Sequence, residues 1–140
     1  MYEKLKEIGA ELVVETLKQI QAGKYTSQKQ IFAATDKPAP KINKDVLEIR
    51  DFSSSMAIHN LVRGLVPVYK PFFNYQDKKY IVKKGHYSLE KVLENSGEWL
   101  TDNNTFLKLA CSLGYYWVTE IQAEGKKPMS IQSFFNGNQL

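Results

Sequence analysis

Two short runs of apolar and aromatic residues near the carboxy terminus, with a turn between them and a capped helix after them, constrain this chain more than any other feature. The stretch lies between Thr105 and Gly137. Its first run holds Phe106, Leu107, Leu109 and Cys111, its second Tyr116, Val118 and Ile121, and Ser112-Leu113-Gly114 between them completes the pattern of a hairpin. Gly125-Lys126-Lys127-Pro128-Met129-Ser130 then ends the second strand. Ser130 stands where a helix N-cap is wanted, Ile131 to Asn136 come next as the helix, and Gly137 falls where a left-handed residue closes one. A chain that ends this way has a sheet with one apolar face and must cover it.

Working back from that unit, Asp102-Asn103-Asn104 reads as the turn that feeds it, and Glu98 to Thr101 as a further strand. Val68 to Lys83 alternates about Gln76-Asp77-Lys78, which predicts two more strands, and Pro71 restricts the first of them to an edge or a bulge. Leu89, Val92 and Leu93 suggest a short helix or a loop. From Ser53 to Leu65 the spacing is helical: Ser53, Ser54 or Ser55 supplies the cap, Met56, Ile58, Leu61, Val62 and Leu65 the apolar side, and Gly64 with Pro67 the stop. His59 and Arg63 lie one turn apart on it.

At the amino end, Leu5, Ile8, Leu12, Leu17 and Ile20 recur at helical spacing from Glu3 to Gln21, with Ala22-Gly23 as the stop. Between the helices, periodicity disappears from Lys24 onward and Pro38 and Pro40 stiffen the chain, so this segment reads as an extended linker. The fold class expected is therefore mainly β with flanking helices: a small OB-like Greek-key barrel preceded by a long N-terminal helix and an extended linker.

The 140 residues suit one ordinary domain with its appendages. Cys111 is the only cysteine, so the chain makes no internal disulfide and no cysteine-cluster metal site. It reads as a buried strand residue rather than a nucleophile. The start, Met1-Tyr2-Glu3-Lys4, carries mixed charge and no long apolar run, which points to a cytoplasmic protein with no membrane span.

The formal charge of +4 is concentrated in two segments. Lys24, Lys29, Lys37, Lys41, Lys44 and Arg50 mark the first; Lys70, Lys78, Lys79, Lys83, Lys84 and Lys91 mark the second. Clustered cations of this kind fit an anionic partner, or form a merely solvated face. Tyr115, Tyr116, Trp117, Phe72 and Phe73 offer rings for stacking on bases, although aromatics at alternating positions serve a core more often.

Four motifs carry a resemblance. Ala39-Pro40-Lys41-Ile42-Asn43-Lys44, Glu48-Ile49-Arg50-Asp51-Phe52, Ile58-His59-Asn60-Leu61-Val62-Arg63-Gly64-Leu65 with Pro67, and Glu120-Ile121-Gln122-Ala123-Glu124-Gly125-Lys126-Lys127-Pro128-Met129-Ser130 occur in the order seen in methionyl-tRNA formyltransferases. The chain resembles the carboxy-terminal portion of that family over nearly its whole length. The resemblance implies that residues 1–23 are the last helix of a catalytic domain, 24–42 a linker and 43–140 the OB-like C-terminal domain.

The family's catalytic Asn, His and Asp, and its site for 10-formyltetrahydrofolate, belong to an amino-terminal domain. Neither His59 nor His86 sits in the family's His-x-Ser-Leu-Leu-Pro context, so this chain alone is expected to transfer no formyl group and to hold no cofactor. What the resemblance assigns to it is tRNA binding, through Lys41, Lys44, Arg63, Lys126 and Lys127. Arg63 is alternatively a domain-interface residue pairing with a carboxylate or carbonyl, and Lys126 and Lys127 alternatively keep a tight turn soluble. Asp51-Phe52 replaces the family's more usual Asp-Trp, and Val68-Tyr69-Lys70-Pro71-Phe72 departs from the segment that usually comes after the helix.

Two further classes stay open: the C-terminal domain of a sugar N-formyltransferase or other folate-dependent formyltransferase, and a stand-alone nucleic-acid-binding or interaction module. The apolar stripe of the first helix has to be covered, and a homodimer through that helix or packing on the barrel is expected to cover it.

Overall fold

The closing hairpin, with its two strands paired antiparallel, is present in a computed structural model that describes residues 2–140. The chain forms two units, residues 1–40 and Lys41–Leu140.

The first unit is a single helix, α1 (Tyr2–Gln21), followed by chain without regular structure. Gly23 takes φ +67°, Gly23 N–H donates to the Ile20 carbonyl and Lys24 N–H to that of Gln19, so the helix closes with a left-handed residue and wrapped-back hydrogen bonds. None of its residues is buried; Leu5, Leu12 and Leu17 are each about three-fifths exposed. No helix among the described residues is long and apolar enough to cross a membrane.

In the second unit a 3₁₀ turn (Lys44–Leu47) leads to α2 (Ser55–Leu65), and six strands come after it: β1 (Phe72–Tyr75), β2 (Lys78–Ser88), β3 (Trp99–Thr101), β4 (Leu107–Ala110), β5 (Tyr115–Ala123) and β6 (Met129–Ser130). Helix α3 (Ile131–Phe135) closes the unit. The sheet order is β1-β2-β5-β4-β3, all antiparallel, with β6 added to β5. Strands β3, β4 and β5 succeed one another by hairpin, while β2, joined to β3 by the long Ser88-to-Trp99 connection, pairs with β5 at the other side of them, which is a Greek key. The result is a half-barrel with flanking helices, consistent with the OB-like class.

Its core gathers Phe73, Tyr80 and Val82 with Leu107, Leu109, Tyr116, Val118 and Ile121, closed by Ile58 and Val62 of α2 and by Phe134 of α3. Each such side chain removed from water contributes roughly 1.5–3 kcal/mol. Pro71 is buried and donates nothing, but its carbonyl accepts from Val82 N–H, and β1 is an edge strand as a Pro at that point requires. Gln76 and Asp77 both take positive φ, the geometry of a two-residue hairpin turn.

Several local expectations are corrected. Gly64 lies inside α2, whose end is capped by Val66 N–H donating to Val62 ahead of Pro67, with the Val66–Pro67 bond cis. Gly137 does not take a left-handed conformation; Asn136 caps α3 in the right-handed region. Ser130 does cap α3, accepting from Ser133 N–H at 3.2 Å. Ser54 occupies the N-cap of α2 without a side-chain bond, because the neighbouring Ser55 is the serine that is used. Its hydroxyl, fully buried, lies 2.9 Å from the Leu113 carbonyl and 3.1 Å from that of Ser88, tying the start of α2 to the β4–β5 turn. Leu89, Val92 and Leu93 lie outside regular structure.

Candidate nucleic-acid interface

Helix α2 packs Ile58, Val62 and Leu65 inward, which turns Arg63 and Asn60 to solvent. The Arg63 guanidinium donates to the Asn60 side-chain oxygen at 3.1 Å, a neutral partner that leaves its charge free for an anion. Facing it across a groove of about 340 Å³ are Lys83 and Lys84 of β2 and Thr119 of β5, with His59 completing the helix side. Those two lysines point this way because β2 is irregular here: its register with β5 shifts between Val82 and Lys84 and again between Lys84 and Gly85. Lys84 also reaches Glu120 at 2.8 Å, a pair whose lysine is exposed and whose glutamate is half-buried, worth about 1 kcal/mol.

A second groove, of about 420 Å³, lies beyond the α2–β1 connection; Val66 lines the first groove and Val68 the second. Lys44, Lys70 and Lys79 surround Tyr69 and Phe72 there. The Lys79 ammonium sits 3.7 Å from the centre of the Phe72 ring. Glu48, just after the 3₁₀ turn on this flank, is engaged: Arg50 and Asn74 donate to it, and the hydrogen bond from Arg50 chiefly holds its carboxyl below the usual range. Among the described residues Lys44, Lys70, Lys79 and Lys83 form no ion pair.

The five sequence-predicted residues therefore fall into different places. Arg63 lines the first groove and Lys44 the second, with Lys41 exposed three residues before it. Lys126 and Lys127 are exposed in the β5–β6 turn and line neither groove; that turn is held by Lys126 N–H donating to Ala123 and by Gln122 donating to the Lys126 carbonyl. Lys70, Lys79, Lys83 and Lys84 are visible in the sequence only as members of a basic segment; packing α2 on β2 brings Lys83 and Lys84 to the first groove, and the α2–β1 connection beside β1 and β2 brings Lys70 and Lys79 to the second.

The aromatic residues divide as well. Tyr116 and Phe73 are core, and Tyr115 is buried with its hydroxyl donating to Glu94. Trp117 is half-buried on the face of β5 opposite Tyr116, beside His86 and under Lys108. Phe72 combines a half-buried ring with a groove of lysines, and Tyr69 shares that groove. His59 rests against Tyr87 and His86 against Trp117, ring contacts that carry no acid–base chemistry by themselves. Burial pushes the Cys111 thiol up to about 11, so it is not a thiolate at neutral pH.

A family model described as formyl transferase, C-terminal domain, matches residues 41–139. The chain belongs to that family. A methionyl-tRNA formyltransferase of Clostridium novyi is 33% identical to it over 94% of this chain and 42% of the relative. The same-named proteins of Lachnospira eligens and Listeria innocua are each 32% identical, over 100% and 98% of this chain and 46% and 44% of theirs. The chain thus spans less than half the length of these curated relatives. A solved structure of HypX from Aquifex aeolicus shares the fold, with a TM-score of 0.61 at 15% identity over 92% of this chain and 24% of that one.

Proposed function

We propose that this chain is the tRNA-holding and domain-docking C-terminal part of a methionyl-tRNA formyltransferase, working in the cytoplasm at translation initiation. The reading rests on membership of the formyl transferase C-terminal domain family, on relatives named for that activity, and above all on the paired basic grooves either side of the α2–β1 connection. Cations spaced along two grooves neutralise successive phosphates and release their counterions, which is the sequence-independent share of nucleic-acid affinity. Arg63, Lys44 and Lys41 are the principal contacts, and Lys126 and Lys127 an outlying one.

In the intact enzyme 10-formyltetrahydrofolate supplies the formyl group to the amino group of methionyl-tRNA. This chain's residues contribute to that reaction by binding: they fix the acceptor while the chemistry proceeds elsewhere. Residues 1–23 act as the helix adjoining the catalytic domain, 24–42 as the linker and 43–140 as the tRNA-holding domain. Charge reversal distinguishes the contacts. Arg63→Glu and Lys44→Glu should each weaken initiator tRNA binding about tenfold in a filter assay, and Lys126→Glu less; unchanged binding in all three would remove the reading.

A further inference from the structure

The second groove has a feature that phosphate binding alone does not use. Phe72 lies on the edge strand β1, next to core residue Phe73 but turned away from the core, and Tyr69 stands beside it. The open face of the Phe72 ring is occupied by the Lys79 ammonium. A cation held in this way is a placeholder: it sits on the electron-rich face of a ring with no covalent or ion-pair restraint among the described residues, and a flat conjugated group can take its position. Lys44 and Lys70 meanwhile flank the rings at the groove's edge.

We propose that this groove takes a single unpaired RNA nucleotide, its base stacking on Phe72 in place of the Lys79 ammonium while Lys79, Lys44 and Lys70 receive the adjoining phosphates. The proposal deepens the tRNA reading and rests on it. Unpaired bases stack on aromatic rings with little regard to sequence, whereas bases inside a duplex offer no free face. The groove's volume of about 420 Å³ falls within the roughly 300–1,000 Å³ of small-ligand sites. The site therefore reads a single-stranded element of the RNA rather than its helical backbone.

The test titrates the 140-residue chain with a fluorescent octauridylate, an RNA duplex of equal charge, a polyglutamate peptide and initiator tRNA. Phe72→Leu should weaken octauridylate binding about tenfold with the salt dependence unchanged, and Phe72→Tyr should restore it. Lys79→Ala should flatten the salt dependence by about one phosphate contact. Thermal unfolding of each variant separates loss of binding from loss of fold. Equal binding by the Leu and Tyr variants, or binding of duplex or polyglutamate as tight as octauridylate, would overturn the base site. Phe72-dependent octauridylate binding without tRNA binding would keep the groove and defeat the tRNA-holding reading; tRNA binding indifferent to Phe72 would do the reverse.

Discussion

Phe73 of β1 and Trp99 of β3 stack with ring centroids 3.9 Å apart, although their strands stand at opposite ends of the sheet order. The two edges therefore approach one another through side chains where no backbone ladder joins them, and the sheet is coiled into a half-barrel by that contact. Trp99→Ala should cost about 2–4 kcal/mol, because it removes a large half-buried ring and uncovers Phe73. Urea unfolding measures it; a loss below about 1 kcal/mol would mean that the coil is set by the hairpins alone.

Where β2 bends, Gly85 is pressed against β5. A Cβ at this position would lie 2.4 Å from both the Trp117 carbonyl and the Tyr116 hydroxyl. Gly85→Ala should destabilise by about 2–4 kcal/mol, since the backbone cannot withdraw. The same Tyr116 hydroxyl is buried without a hydrogen-bond partner, and burial raises its pKa. Tyr116→Phe should be neutral or stabilising by about 1 kcal/mol in the same measurement.

The β3–β4 turn carries a pH dependence. Asp102 accepts from the Thr105 hydroxyl and from the N–H groups of Asn104, Thr105 and Phe106, and the Thr105 hydroxyl chiefly holds its carboxyl far below the ordinary 3.8. A carboxyl lowered by folding contributes fully above its unfolded value and loses that contribution as pH falls toward its folded one. Amide exchange at Thr105 and Phe106 should accelerate, relative to intrinsic rates, on acidification below about pH 4. Asp102→Asn should abolish the change; an identical profile in the variant would place its cause elsewhere.

Helix α1 displays Leu5, Leu12 and Leu17 to solvent, an apolar stripe on a helix with no buried residue. Leaving such side chains in water forgoes roughly 1.5–3 kcal/mol each. The isolated chain should self-associate through this stripe at micromolar concentration, and Leu12→Glu should return it to a monomer in sedimentation equilibrium. A monomer at all concentrations would assign the stripe to another partner.

The closing hairpin is legible in the sequence because two apolar, aromatic-rich runs flank a Gly-containing turn and Ser130 caps the helix after it. By contrast β2 runs on through Lys84, Gly85 and His86 to Ser88, where a bulge breaks the alternation and polar residues hide the strand. Met129–Ser130 reads as turn because two residues carry no period, yet it pairs with β5. The glycine stops at Gly64 and Gly137 mislead for one reason: Pro67 and Asn136 end those helices without a left-handed residue. In the candidate grooves Arg63 and Lys44 are legible from motifs, whereas Lys83 joins Arg63 only through the packing of α2 on a bent strand, and Lys70 and Lys79 join Lys44 only where the α2–β1 connection runs beside β1 and β2.

Whether this unit holds tRNA is decided by titrating the chain with initiator tRNA and with duplex DNA of similar charge, each at low and high salt. A tRNA-holding unit should bind tRNA more tightly than the duplex, with binding that weakens steeply as salt rises. Equal affinity for both would reduce the grooves to a general electrostatic surface, and no binding at low salt would contradict the claim outright.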